Sequence, residues 1–142
     1  MPTPGVKARI DRFWIAIKKL ERLSKLEFNE FKSNSDLIDI AERNLQITVE
    51  ALIDVSEFLI SKLNLRTPKS YRDVVRILYE ANILDVEEYK FLDKSVILRN
   101  IIIHNYVYLK PEILHKYIEE YKRYRGIMHG ILKYMEERGI DP

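Results

Sequence analysis

Between Ile38 and Leu59 apolar residues keep the helical period, in steps of three, four or, once, seven positions: Ile38, Ala41, Leu45, Leu52, Val55 and Leu59. That period puts them on one face of an α-helix and on no single face of a strand. A stripe this long limits the fold more than any other feature of the chain, because its apolar face must be laid against further packed elements. No segment offers a sheet for that purpose. Period-two alternation bounded by hairpin turns is absent. The run VILRNIIIH is rich in β-branched residues, but a lone strand without a partner is unstable. Helix packing on helix is what remains.

The other segments agree. Ile10, Phe13, Trp14, Ile17, Leu20 and Leu23 form one stripe, which predicts a first helix from about Val6 to Phe31 with Lys18, Lys19, Glu21 and Arg22 in solvent. Ser33 with Asp36 reads as the capping box that opens the long second helix. Ser70 with Asp73 opens a shorter one carrying Val74, Ile77 and Leu78, and Asp85 with Glu88 opens the next, which passes Phe91, Leu92 and Val96. Pro111 suits the first turn of a last helix running through Tyr117, Tyr124, Met128, Ile131 and Met135 to the neighbourhood of Gly139. Of only four glycines and five prolines, most lie at the ends of the chain or between these segments, which favours a few long helices with short connections. The expected architecture is all-α: a single domain over residues 1–142, an up-and-down bundle of four main helices plus a short one.

Composition narrows the functional classes. With 46% apolar and 32% charged residues the chain has the balance of a globular protein, and a net charge of +2 allows an acidic partner without requiring one. The chain has no cysteine, which removes disulfides, thiolate nucleophiles and cysteine-based zinc sites. No apolar run reaches the length of a membrane span. The N-terminal MPTPGVKARIDRF lacks the apolar stretch of a secretion signal, so a cytoplasmic location is expected.

Two places depart from plain amphipathic patterning. Thr48 interrupts the long stripe, and Glu42, Arg43, Gln46 and Glu50 make the middle of that helix polar. A solvated face with local i, i+4 pairs such as Gln46–Glu50 accounts for this. The second place is VILRNIIIHNYVYLK, where Arg99, Asn100, His104, Asn105 and Tyr106 lie among aliphatic residues. At about 100° per residue, Arg99 and Tyr106 share a stripe, whereas His104 lies about 140° round from Arg99. One straight helix does not bring the guanidinium and the imidazole together. A helix that ends near His104 would, and so would two copies of the chain facing each other across a two-fold axis. In the second case part of the isoleucine-rich run becomes interface.

The chemistry open to these side chains is limited. Arginine forks onto phosphate oxygens, histidine takes and gives protons near neutrality, and asparagine orients either through hydrogen bonds. Together they suit cleavage of RNA through its own 2′-hydroxyl, which needs a base, a charge stabiliser and an acid but no metal. An arginine paired with a helix acid and a histidine packed on an apolar face would fit the same spacing without any catalysis.

The stretch LRNIIIHNY resembles the Arg-x4–6-His signature of the HEPN helical proteins, with Asn100 as the polar residue that often follows the arginine. Its extended form, Arg99-x4-His104-x-Tyr106, is similar to that of the HepT toxins. AERNLQITVEALIDVSEFLI resembles their long second helix. The resemblance implies a homodimeric helical toxin with ribonuclease activity and no cofactor, its two motifs facing each other in a cleft at the dimer interface. It implies catalysis by Arg99 and His104, supported by Asn100 and Asn105. It also implies a nucleotidyltransferase antitoxin of the MntA type that transfers AMP to Tyr106, within a hetero-oligomer of toxin and antitoxin. Asn105 stands where many relatives carry an acid, and an amide does not hold an imidazolium as a carboxylate does. The competing reading is a non-catalytic helical dimer that binds a nucleotide or such a partner through the same Arg99 and His104. A purely structural bundle is the third.

Overall fold

The computed structural model describes residues 4–104 and 109–142. Asn105 and Tyr106, two of the residues singled out above, lie outside the described residues. Among the described residues seven helices follow one another: α1 Pro4–Ser24, α2 Phe28–Lys32, α3 Ser35–Lys62, α4 Tyr71–Glu80, α5 Val86–His104, α6 Pro111–Glu119 and α7 Tyr121–Glu137. Among the described residues there is no strand. The bundle is therefore all-α as expected, but with more and shorter pieces than four helices and a fifth.

The first expected helix is two. After Ser24 the chain tightens through Lys25 N–H to Arg22 C=O and Leu26 N–H to Leu23 C=O, and the Ser24 hydroxyl turns back onto Glu21 C=O at 2.6 Å. Glu27 is extended, at φ −66° and ψ 146°. This break turns α2 so that Phe31 is fully buried, a burial worth about 1.5–3 kcal/mol for a side chain of this size.

The cap of α3 is also displaced by one residue. Asn34, not Ser33, accepts from the backbone N–H groups of Asp36 and Leu37, at 3.0 and 3.3 Å, while Ser33 closes α2 by donating to Asn29 C=O. Either residue type serves as an N-cap; the preceding turn decides which one faces the orphan donors. The two other predicted caps are in place. Ser70 accepts from Asp73 N–H at 3.0 Å, and Asp85 and Glu88 exchange hydrogen bonds reciprocally at 2.7 and 3.0 Å.

Three helices stop by the same device. Asn64, Asn82 and Gly139 have φ of 54°, 61° and 67° after α3, α4 and α7. In each case the next residue donates back five positions: Leu65 to Ile60, Ile83 to Leu78, Ile140 to Met135. This is the Schellman closure, which glycine and asparagine tolerate because they enter the left-handed region at low cost.

The last expected helix is likewise divided, at Glu120. Leu114 and Ile118 of α6 are buried where α6 packs on α1, α2 and α3, and Tyr124, Ile127, Met128, Ile131 and Met135 of α7 are buried where α7 packs on α1, α3 and α5. A straight helix would not serve both sets of neighbours. Tyr124 is fully buried, and its hydroxyl lies 2.8 Å from Ser95 Oγ. Ser95 commits its one proton to Phe91 C=O, so the tyrosine is the donor.

At the centre, α3 packs along α1 and also meets α4, α5, α6 and α7. Thr48 does not break its apolar face. It is fully buried and donates to Asn44 C=O at 2.7 Å, as Ser56 does to Leu52 C=O and the Asn44 amide does to Ile40 C=O. Each polar group is satisfied by its own helix, so it packs as an apolar residue of similar size would.

Candidate functional site

Arg99 lies on α5 one residue after the buried Leu98, and its side chain turns toward α3 and the start of α4. Nε and Nη2 both donate to Glu50 Oε2 of α3, at 2.8 and 2.6 Å. Nη1 donates to Asn100 Oδ1 at 3.1 Å. The guanidinium carbon sits 4.7 Å from the ring centroid of Tyr71, the first residue of α4. The side chains of Arg99 and Glu50 are only 16% and 27% exposed. Gln46 donates to the same Glu50 oxygen at 3.2 Å, so the predicted i, i+4 pair exists but belongs to a larger group.

A second ion pair stands behind the first. Arg9 of α1 donates to Asp54, one turn along α3 from Glu50. Burial pushes the Asp54 carboxyl up from its ordinary range; Arg9 opposes that shift, Glu50 adds to it and Arg99 again opposes. Burial also raises the Tyr71 phenol, as does Asp54, against the pull of Arg99. Two arginines and two carboxylates thus alternate in a small volume with no net charge.

This arrangement grips Arg99 along one edge. A guanidinium carries five N–H donors. Three are engaged by Glu50 and Asn100, which leaves one on each of Nη1 and Nη2 for an outside acceptor. The geometry suits a phosphate, which an arginine fork takes with two parallel hydrogen bonds.

His104 is the last residue of α5, and it is exposed. The helix is continuous from Arg99 to His104, which keeps the two about 140° apart around the axis. Within one chain the structure does not bring them together, and the end of α5 does not supply the bend that would. The other two histidines sit elsewhere: His115 packs on Phe28 and Phe31, and His129 packs on Trp14. The aliphatic run around the motif is only partly core. Val96 and Leu98 are buried, while Ile97 and Ile103 are 39% and 38% exposed. Among the described residues no group of three or more His, Asp or Glu side chains is placed to hold a metal ion, and no helix is long and apolar enough to cross a membrane.

Sequence reasoning placed Glu50 in a solvated polar face and passed over Tyr71 and Asp54 altogether. The available signal was position. Glu50 falls between Val49 and Ala51, both buried, at the border of the apolar stripe, where a long polar side chain reaches a neighbouring helix as readily as water.

Comparison with known proteins bears on the family and the fold. The family described as ribonuclease HepT-like matches residues 15–126. The mRNA nuclease HepT of Shewanella oneidensis is 34% identical over 86 residues, 61% of this chain. The match spans 65% of that relative's length. A solved structure of the tri-AMPylated Shewanella oneidensis HEPN toxin in complex with MNT antitoxin superimposes with a TM-score of 0.84 at 25% identity, covering 93% of this chain and 99% of that one. A toxin–antitoxin structure with AMP-PNP gives 0.82 at 25% identity, over 90% and 97% of the two chains. The cytosolic protein YutE of Bacillus subtilis, of unknown function, shares the fold at 16% identity with a TM-score of 0.81, over 97% and 93%. The family match covers well over half of the residues, and the helical bundle is that of the HEPN toxins: the chain belongs to the HepT-like family.

Proposed function

We propose that this protein is the toxin of a toxin–antitoxin pair, a metal-independent endoribonuclease that works as a homodimer and is silenced by AMP transfer to Tyr106. The observation that carries the reading is the Arg99 guanidinium, held on one edge by Glu50 and Asn100 and backed by the Tyr71 ring, with two N–H donors left for a phosphate. In a cleft between two copies, Arg99 binds the scissile phosphate and His104 exchanges protons. A base takes the 2′-hydroxyl proton, O2′ attacks phosphorus, Arg99 stabilises the added negative charge, and the 5′-oxygen leaves as it is protonated. The products are a 2′,3′-cyclic phosphate and a 5′-hydroxyl end. The exposed Ile97 and Ile103, on the helix that carries both residues, supply apolar surface for the dimer contact.

Regulation follows the same chemistry. The Tyr106 hydroxyl attacks the α-phosphate of ATP on a minimal nucleotidyltransferase, pyrophosphate leaves, and the bound AMP places phosphate charge beside Arg99. The AMP-bearing toxin of Shewanella oneidensis supports this part of the reading.

The deciding experiment is cleavage of single-stranded RNA by the purified protein in the presence of a chelator, with His104→Ala and Arg99→Ala beside it. Cyclic-phosphate products from the wild type and their loss in both variants are expected. Undiminished cutting by His104→Ala would exclude the assignment. Binding of nucleotide without cutting by any protein would instead favour a non-catalytic binding dimer.

A further inference from the structure

α1 and α3 lie antiparallel, with Arg9 paired to Asp54 toward one end and Leu23 beside Leu37 toward the other. The seam between them holds two adjoining cavities that share Arg43. The first, about 440 Å³, is bounded by Arg9, Arg12, Arg43, Ile47, Glu50 and Asp54. The second, about 650 Å³, continues past Arg43 to Lys19 and Arg22. Glu50 is at once a wall of the first cavity and the residue that grips Arg99, so one side chain separates the seam from that guanidinium.

Charge along the seam is uneven. The two acids of the first cavity are engaged, Asp54 by Arg9 and Glu50 by Arg99. The basic side chains are not. Arg12, Lys19, Arg22 and Arg43 are exposed, and among the described residues no ion pair engages any of them. Arg12, Lys19 and Arg22 recur at seven and three, one stripe about 15 Å long on α1. Arg43 faces it from α3, and Asp39 is the one acid in the second cavity. Exposed arginines scattered over a surface would be ordinary solvated charges. Here two helices line two neighbouring cavities that share Arg43 with uncommitted cations, and a wall of the first cavity is the acid that grips Arg99. The exposed Ile40 adds apolar floor, suited to the faces of sugars and bases.

We propose that the α1–α3 seam is a track for the phosphodiester backbone of single-stranded RNA, with Arg12 and Arg43 gripping phosphates that flank the bond presented to Arg99. This rests on the ribonuclease reading above.

The test is steady-state cleavage of a fluorescent single-stranded 12-mer RNA by Arg12→Gln/Arg43→Gln and Arg12→Glu/Arg43→Glu. Lys122→Glu/Lys133→Glu, on α7 and outside both cavities, controls for bulk charge. KM is expected to rise about tenfold in the charge-neutralised pair, with kcat within about twofold. The slope of log KM against log salt should fall by about 1.4, since each lost phosphate contact removes about 0.7 for a single strand. Fluorescence anisotropy of the same RNA on the His104→Ala protein, with and without the Arg12 and Arg43 substitutions, reads the track without any cutting. Binding that depends on Arg12 and Arg43 in a protein that never cleaves RNA would retire the ribonuclease reading and keep the track. Affinity, KM and salt slope equal to those of the wild type or of the α7 control would overturn the track. So would a fall in molar mass of the charge-reversed pair by light scattering, which would make the seam a contact between copies. Unchanged RNA binding with altered AMP transfer would also overturn it, assigning the seam to AMP carried on the protein itself.

Discussion

One carboxylate oxygen of Glu50 receives both Nε and Nη2 of Arg99, at 2.8 and 2.6 Å, across forty-nine positions of sequence. Two donors converging on one oxygen fix the plane of the guanidinium, and the Tyr71 ring fixes its face. A side chain with many rotamers is thereby reduced to one. That saves the ordering entropy an arginine otherwise loses on meeting a phosphate.

Removing the carboxylate tests this directly. Glu50→Ala leaves a mostly buried guanidinium without its partner, at a cost of about 2 kcal/mol, the scale of a charge-assisted hydrogen bond. RNA cleavage should fall about tenfold, the equivalent of 1.4 kcal/mol of lost transition-state stabilisation. Glu50→Gln keeps an acceptor at the same place and should recover part of both. Urea unfolding and single-turnover cleavage measure the two effects, and wild-type values for Glu50→Ala in both would remove Glu50 from the site.

The contribution of Tyr71 lies in its ring rather than its hydroxyl. Tyr71→Phe preserves the face beneath Arg99 and should stay within about 0.5 kcal/mol of the wild type, whereas Tyr71→Leu should lose about 1 kcal/mol of cation–π attraction and lower cleavage with it. Equal losses in the two variants would point to the phenol instead.

Tyr124 makes a contrasting case. It donates to Ser95 in the core, one turn of α5 before Arg99. Tyr124→Phe should cost about 1 kcal/mol in urea unfolding, the net worth of one buried hydrogen bond, with the rate of RNA cleavage per folded molecule unchanged. A selective loss of activity would tie the α5–α7 contact to catalysis.

The hinge between α3 and α4 should be sensitive to acid. Arg66 donates twice to Asp73, at 2.8 and 2.9 Å, and Lys69 N–H adds a third bond at 2.9 Å. Beside Arg66, the Asp73 carboxyl is held at about 2, against 3.8 for the unperturbed group. A depressed carboxylate stabilises the folded state fully above its unfolded value and ceases to do so as pH falls through its folded one. The melting temperature should therefore lose this contribution between about pH 4 and pH 2. Asp73→Asn should melt lower than the wild type near neutrality and show a smaller fall over that window. An identical acid limb in the variant would contradict the pairing.

How much of this was legible beforehand depends on what each feature requires. Helix stripes, the Ser70 and Asp85 caps and the stop at Gly139 are written in residues a few positions apart, so local periodicity and hydrogen-bonding capacity are enough to read them. The breaks at Leu26–Glu27 and Glu120 were not legible, because each helix bends to serve neighbours met only in the folded bundle. Thr48 misled for a related reason: a hydroxyl that bonds its own helix is polar in composition and apolar in packing.

The Arg99, His104 and Tyr106 pattern is a property of the sequence, and so are the helical class and the family resemblance. What only the tertiary structure decided is where Arg99 points and what holds it. Glu50 and Tyr71 come from two other helices, and no spacing rule links positions 50, 71 and 99. The physical reason is range. Helix propensity, capping and amphipathic period act over one or two turns, whereas an ion pair across helices exists only once burial has chosen which faces meet.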